Sequence, residues 1–246
     1  MTMRNCKLLA IILISSFFIL SSCKKVWHVA QSDYTLNRLD STAVYSEEVT
    51  KIIQPYKAKL DGEMNKVIAI CPEDMPKGRP ESTLGNWMSD VMYDRASELS
   101  NVPIDFAMQN SGGIRIPLLQ KGNITKGKIY ELMPFDNTLV VIHADQELLM
   151  TFLNRVAQSG GWPVSRNFQM KIKGKEAKEV RINGEILTDR IYNIALPDYI
   201  ANGGSDCPFF NDADRTTYPE LLRDMFINKA TADGVIAAKV EGRIGK

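Results

Sequence analysis

The sequence predicts an α/β fold with mixed sheets. Stretches of helical periodicity interleave with short β-like runs over most of the chain. Asn183-Gly184, set between Arg181-Ile182 and Glu185-Ile186, is a strong signal for a two-residue hairpin turn. Internal repeats and low-complexity blocks are absent from the sequence. Hairpins mixed among helices point to mixed sheets rather than a pure βαβ array.

The elements follow in order. Lys24 to Ser46 is polar and weakly patterned, with a short strand expected at Trp27 to Ala30. Glu47 to Leu60 places Val49, Ile52, Ile53, Tyr56 and Leu60 at helical spacing, and Pro55 predicts a kink or break there. Lys66 to Cys71 is β-like. Ser82 to Leu99 is the best helix: Ser82 or Thr83 caps it, and Leu84, Trp87, Met88, Val91, Met92 and Ala96 form one face. Ile104 to Gln109 is a strand that delivers the chain into Asn110-Ser111-Gly112-Gly113-Ile114-Arg115. Gly122-Asn123 reads as a turn, Ile124-Thr125 as the start of a strand and Lys128 to Met133 as a short helix. A β-branched strand, Thr138 to His143, precedes a helix from Asp145 to Ala157 with Leu148, Leu149, Phe152 and Val156 inward. Phe168 to Ile172, Glu179 to Ile182 and Tyr192 to Leu196 are strands. Glu220 to Asn228 is helical, and Gly234 to Glu241 is a last helix or strand.

The N-terminus bears on location. Arg4 and Lys7 precede an apolar run, Leu8 to Leu20, which is too short for a retained membrane helix. Leu20-Ser21-Ser22-Cys23 reads as a lipobox, with residues 1–22 removed and lipid on Cys23. Residues 23–46 then form a lipidated tether and 47–246 the folded domain. The expected location is the bacterial cell envelope, outside the cytoplasm, with a membrane anchor through Cys23. Removing Arg4 and Lys7 takes the formal charge from +1 to −1. That balance argues against a nucleic-acid polymer as partner. Cys71 and Cys207 remain as a pair that an oxidising envelope permits, but whose separation the sequence does not fix.

Four loops concentrate Gly, Pro, amides or aromatics. Arg79 leads into the capped start of the Ser82 helix, where free N–H groups suit an anion, although an ordinary capped helix looks the same. The run from Asn110 to Arg115 joins an amide to a guanidinium across Gly112 and Gly113, which allow close backbone approach. Pro134-Phe135-Asp136-Asn137 sets an aromatic and an amide before a strand. Tyr199 follows a strand end and precedes Gly203-Gly204-Ser205-Asp206.

In this order the loops resemble the C-terminal, substrate-binding domain of the 5′-nucleotidase and UDP-sugar hydrolase family, over roughly Lys66 to Phe210. The resemblance implies a four-layer α/β/β/α sandwich. It implies nucleotide contacts from Asn110 and Arg115, and base stacking by Phe135 and Tyr199 with a polar contact from Asn137. Gly112, Gly113, Gly203 and Gly204 belong to the same loops, and Arg79 falls near a basic residue of the family. One departure stands out. The family reads Gly-Gly-Asp-Gly, its aspartate on ribose hydroxyls, where this chain has Ser205 and then Asp206. Ribose recognition is therefore either lost or taken over by Asp206.

Whole members of that family hydrolyse phosphate esters at a two-metal centre on a separate N-terminal domain. The sequence has two histidines, His28 and His143, and no Asp-x-His, Asn-His-Glu or His-x-His motif. No nucleophile elbow or Walker loop is present either. The expectation is a chain with no catalytic residues, metal or cofactor of its own. It would recognise a nucleotide or nucleoside for a metallophosphatase on another chain, which carries the divalent metals. Two other readings stay open at this stage: a solute-binding protein acting alone, and a structural domain that has lost its ligand.

Overall fold

The computed structural model describes residues 46–246. The expected leader and tether, the strand predicted at Trp27 to Ala30, the expected lipidation at Cys23, and His28 lie outside the described residues. Helix α1 (Glu47–Met64) passes through Pro55 without interruption, so the predicted break does not occur. One proline removes a single intrahelical hydrogen bond, and the Lys, Gln, Ala, Leu, Glu and Met residues around it favour helix. Val49, Ile52, Ile53, Tyr56 and Leu60 are all exposed.

The rest of the chain runs β1 (Val67–Cys71), β2 (Met75–Pro76), α2 (Thr83–Leu99), β3 (Phe106–Ala107), a 3₁₀ turn at Ser111–Gly113, β4 (Leu118–Leu119), β5 (Gly122–Thr125) and α3 (Lys126–Leu132). Next come β6 (Thr138–Ala144), α4 (Gln146–Gln158), β7 (Phe168–Lys173), β8 (Glu176–Ile182), β9 (Glu185–Ile186) and β10 (Tyr192–Pro197). The chain ends with α5 (Asp198–Ala201), a 3₁₀ turn at Pro208–Phe210, β11 (Arg215–Leu221), α6 (Leu222–Asp233) and β12 (Ile244–Gly245).

The central sheet has the order β11-β6-β10-β3. Its alternating residues serve two cores. Leu139, Val141 and Ala195 face a core with α2 and α6, through Trp87, Met88, Met92, Leu222 and Phe226. Val140, Ile142, Ile194 and Leu196 face the other core, with Phe152 and Val156 of α4 and Phe168, Met170 and Ile182 of the second sheet. That sheet runs β12-β7-β8-β9. The strand period of two thus buries β6 on both sides, and its near-continuous apolar sequence follows from that. The observed class is the mixed α/β class the sequence predicts.

Several local expectations hold for the physical reasons given. Ser82 caps α2, its Oγ accepting the Gly85 N–H at 3.2 Å. Asn183 and Gly184 take φ of 52° and 82°, the left-handed pair a tight hairpin needs. Others change. Gly122 and Asn123 are strand residues paired with Cys71 and Ile70, not a turn. Only Phe106–Ala107 of the predicted Ile104 to Gln109 strand is extended in the sheet. Glu220 belongs to the unpredicted edge strand β11, not to α6. Gly234 to Glu241 forms neither helix nor strand; Gly234, at φ 67°, ends α6 and releases the chain into a loop.

Cys71 and Cys207 are both buried and free, one in each core. Burial raises the Cys71 thiol and pushes Cys207 up to about 11. His143 is a sheet residue, its ring nitrogens 2.7 Å from Asn193 Oδ1 and 3.0 Å from Thr216 Oγ1.

Candidate functional site

The register of the central sheet brings three loops to one end. β10 runs antiparallel to β6, so Pro197 at the end of β10 faces Leu139 at the start of β6. β3 runs parallel to β10, with Ala107 against Ala195. The loop leaving β3, the loop entering β6 and the short helix leaving β10 therefore emerge together. Between them lies a cavity of about 290 Å³, lined by Asn110, Gly112, Gly113, Arg115, Phe135, Asn137 and Tyr199.

Each wall has a physical reason. After β3 the chain makes the Ser111–Gly113 3₁₀ turn, in which the Gly113 N–H donates to the Asn110 carbonyl at 3.0 Å. The Asn110 amide folds over this turn. A Cβ on Gly113 would stand 3.2 Å from Asn110 Oδ1, and one on Gly112 3.3 Å from its Nδ2. Arg115 follows, its N–H donating to the Leu132 carbonyl at 3.0 Å and its guanidinium 5.6 Å from the centre of the Phe135 ring. Phe135 and Tyr199 are 37% and 48% exposed. Water-facing aromatic rings on opposite loops are surfaces on which a planar ligand can stack.

Tyr199 is held from behind. Gly204 lies so close that a Cβ there would sit 2.4 Å from the Tyr199 carbonyl oxygen and 2.5 Å from its Cζ. The Ser205 N–H donates to the Tyr199 hydroxyl at 3.3 Å. Gly203, at φ 86°, makes the turn that brings this loop back. Phe135 is held from below by Arg223 of α6, which donates to the Phe135 carbonyl at 3.2 Å and to Asp136 Oδ1 at 2.7 Å. Arg223 is buried, with its guanidinium 4.4 Å from the centre of the Tyr130 ring.

The site is electropositive. Burial, and then the charges of Arg79 and Arg115, hold the Lys77 ammonium below the usual lysine range. Lys77 donates to the Ile114 carbonyl at 2.8 Å. Arg79 donates to Ser111 Oγ at 3.2 Å and to the Ser159 carbonyl at 2.6 Å, which ties the glycine run to the end of α4. No ion pair to Lys77, Arg79 or Arg115 occurs among the described residues. Three neighbouring cations without carboxylate partners suit an anion.

The family model described as 5'-nucleotidase, C-terminal domain matches residues 67–212, and all three loops fall inside that span. The chain belongs to this family. It is 27% identical over 255 residues to the trifunctional nucleotide phosphoesterase protein YfkN of Bacillus subtilis, covering 90% of this chain and 16% of that one. Protein UshA of Yersinia enterocolitica is 28% identical over 214 residues, covering 81% of this chain and 36% of the relative. The crystal structure of the 5'-nucleotidase precursor from Thermus thermophilus superposes with a TM-score of 0.68 at 27% identity, covering 80% of this chain and 43% of that one. The chain thus spans less than half the length of these relatives.

The 5′-nucleotidase-type loops place seven sequence-predicted residues around the cavity: Asn110, Gly112, Gly113, Arg115, Phe135, Asn137 and Tyr199. Gly203 and Gly204 support Tyr199 instead of lining the cavity. Arg79 anchors the glycine run from outside. Asp206 turns to Arg155 of α4, at 2.7 Å from its Nη2. Glu81 likewise serves structure, its carboxylate accepting the N–H groups of Glu241 and Arg243 at 2.8 Å each. Arg155, Arg223 and Lys77 escaped the sequence reading. They act on loops far away in the chain, and no local motif announces such a contact.

Proposed function

We propose that this chain is a nucleotide-recognition domain that clamps a base between Phe135 and Tyr199, with Asn110 and Asn137 as polar contacts. The observation that carries the reading is the juxtaposition of two exposed aromatic faces in one cavity with Arg115. Arg115, backed by Lys77 and Arg79, takes the phosphate. That cation group favours a nucleotide over an uncharged nucleoside. Family membership supports the same assignment.

In this reading the domain supplies specificity to a metallophosphatase on another polypeptide, which holds the divalent metals, within nucleotide catabolism. The support is the sequence itself, with two histidines in all and a lipoprotein-type leader over residues 1–22, directly before Cys23. Lipid on Cys23 would fix the domain to a membrane of the bacterial envelope, where such a partner meets extracytoplasmic nucleotides. Among the described residues no group of three or more His, Cys, Asp or Glu is arranged to hold a metal.

The test is a phosphatase assay on the purified chain with AMP and Mn²⁺ or Zn²⁺, alongside affinity capture from the source envelope. The proposal expects no turnover by this chain alone and specific capture of a metallophosphatase. Robust AMP hydrolysis by the chain alone overturns it.

A further inference from the structure

We infer that the clamp takes its nucleotide without reading the sugar 2′-hydroxyl, so that deoxyribonucleotides bind as well as ribonucleotides. This rests on the nucleotide reading above. A vicinal diol is gripped most firmly by a carboxylate, whose oxygens accept both hydroxyl protons. Asp136 and Asp198 adjoin the clamp in the chain and Asp206 follows in the Tyr199 loop, and each has another partner. Asp136, next to Phe135, pairs with Arg223 at 2.7 Å. Asp198, next to Tyr199, accepts the Tyr199 N–H at 2.7 Å through Oδ1.

Asp206 is held in two ways. Arg155 donates from Nη2 to its carboxylate at 2.7 Å and from Nε to the preceding Ser205 carbonyl at 3.1 Å. One guanidinium thereby fastens both main chain and side chain of the loop toward α4. Ser205 and Asp206 take φ of 58° and 60°, consecutive left-handed residues that fix the direction of the chain. The Ser205 N–H is directed at the Tyr199 hydroxyl.

The described residues that line the cavity supply two amides, one guanidinium, two aromatic rings and two glycines, with no carboxylate among them. With the Asn110 and Asn137 amides engaged by the base as proposed above, the sugar hydroxyl meets no further side-chain acceptor in the cavity, keeps its hydrogen bonds to water, and its removal changes little. A site built with a charged acceptor for that hydroxyl would discriminate by about tenfold or more.

The test is calorimetry on the full chain with the pairs AMP and dAMP, GMP and dGMP, CMP and dCMP, and UMP and dUMP. The expected result is binding in which the two members of each pair agree within about threefold. The same ratio is expected in Asp206→Asn. A ribonucleotide that binds about tenfold or more tightly than its deoxy partner overturns the inference while leaving the nucleotide reading intact. If that preference disappears in Asp206→Asn, the carboxylate reads the sugar after all. Absence of binding by every nucleotide removes the nucleotide reading, and this inference with it.

Discussion

Replacing Gly204 by alanine tests how the Tyr199 wall is built. Gly204 lies outside the left-handed region, so alanine meets no backbone penalty there. The conflict is purely steric. The new methyl would sit 2.4 Å from the Tyr199 carbonyl oxygen, 2.5 Å from Cζ and 2.6 Å from Cε1. The carbonyl belongs to the turn leaving β10 and cannot yield cheaply. Overpacking of this kind costs about 1–3 kcal/mol. For a domain of this size that corresponds to a fall in Tm of about 2–12 °C. The ring must also leave its place over the glycine pair, which removes one stacking face. Loss of a base–aromatic stack is worth about 1–3 kcal/mol, or roughly 5- to 150-fold in nucleotide affinity. The assays are thermal denaturation and AMP calorimetry on wild type and Gly204→Ala. Gly184→Ala is the control: its φ of 82° makes alanine strained, yet no atom lies within 4 Å of its Cβ position. It should cost about 1–2 kcal/mol of stability and leave nucleotide affinity unchanged. A Gly204→Ala protein with unaltered Tm and unaltered affinity would refute the packing argument.

Other substitutions probe the remaining supports. Arg223→Met keeps bulk but deletes the hydrogen bonds to the Phe135 carbonyl and Asp136; AMP affinity should fall at least about threefold, with partial recovery in Arg223→Lys. Ser82→Ala removes the cap of α2 and should cost about 1 kcal/mol, read as a fall in Tm of about 2–4 °C. Cys71 and Cys207, buried and with their thiols raised, should resist alkylation in the native protein near pH 8 and react once denaturant is added, without prior reductant. Denatured thiols that label only after reduction would mean they are disulfide-bonded.

What the sequence revealed depended on how local the cause was. Helix α2 was legible because its cap and its apolar face lie within one stretch of chain. The hairpin at Asn183-Gly184 was legible because only two residues need positive φ. β11 was not, since Arg215 to Leu221 is polar, contains Pro219 and is extended through pairing with β6 at the sheet edge. The turn expected at Gly122-Asn123 failed for the same reason: pairing with β1 overrode local propensity. Seven of the predicted residues line one cavity, and they were legible because three loops kept their motifs in order. The arginines that brace it were invisible, because Arg155 and Ser205 are 50 positions apart and Arg223 and Phe135 are 88 apart. The ion pair of Asp206 with Arg155 was equally hidden, since the two residues lie 51 positions apart.

The most direct test of the clamp is AMP calorimetry on the full chain beside Phe135→Ala and Tyr199→Ala. Both side chains are substantially exposed, so neither substitution should unfold the protein. The wild type should bind AMP, and each variant should lose about 5- to 150-fold in affinity with Tm nearly unchanged. AMP binding that is indifferent to both substitutions, or no AMP binding by the wild type, would contradict it.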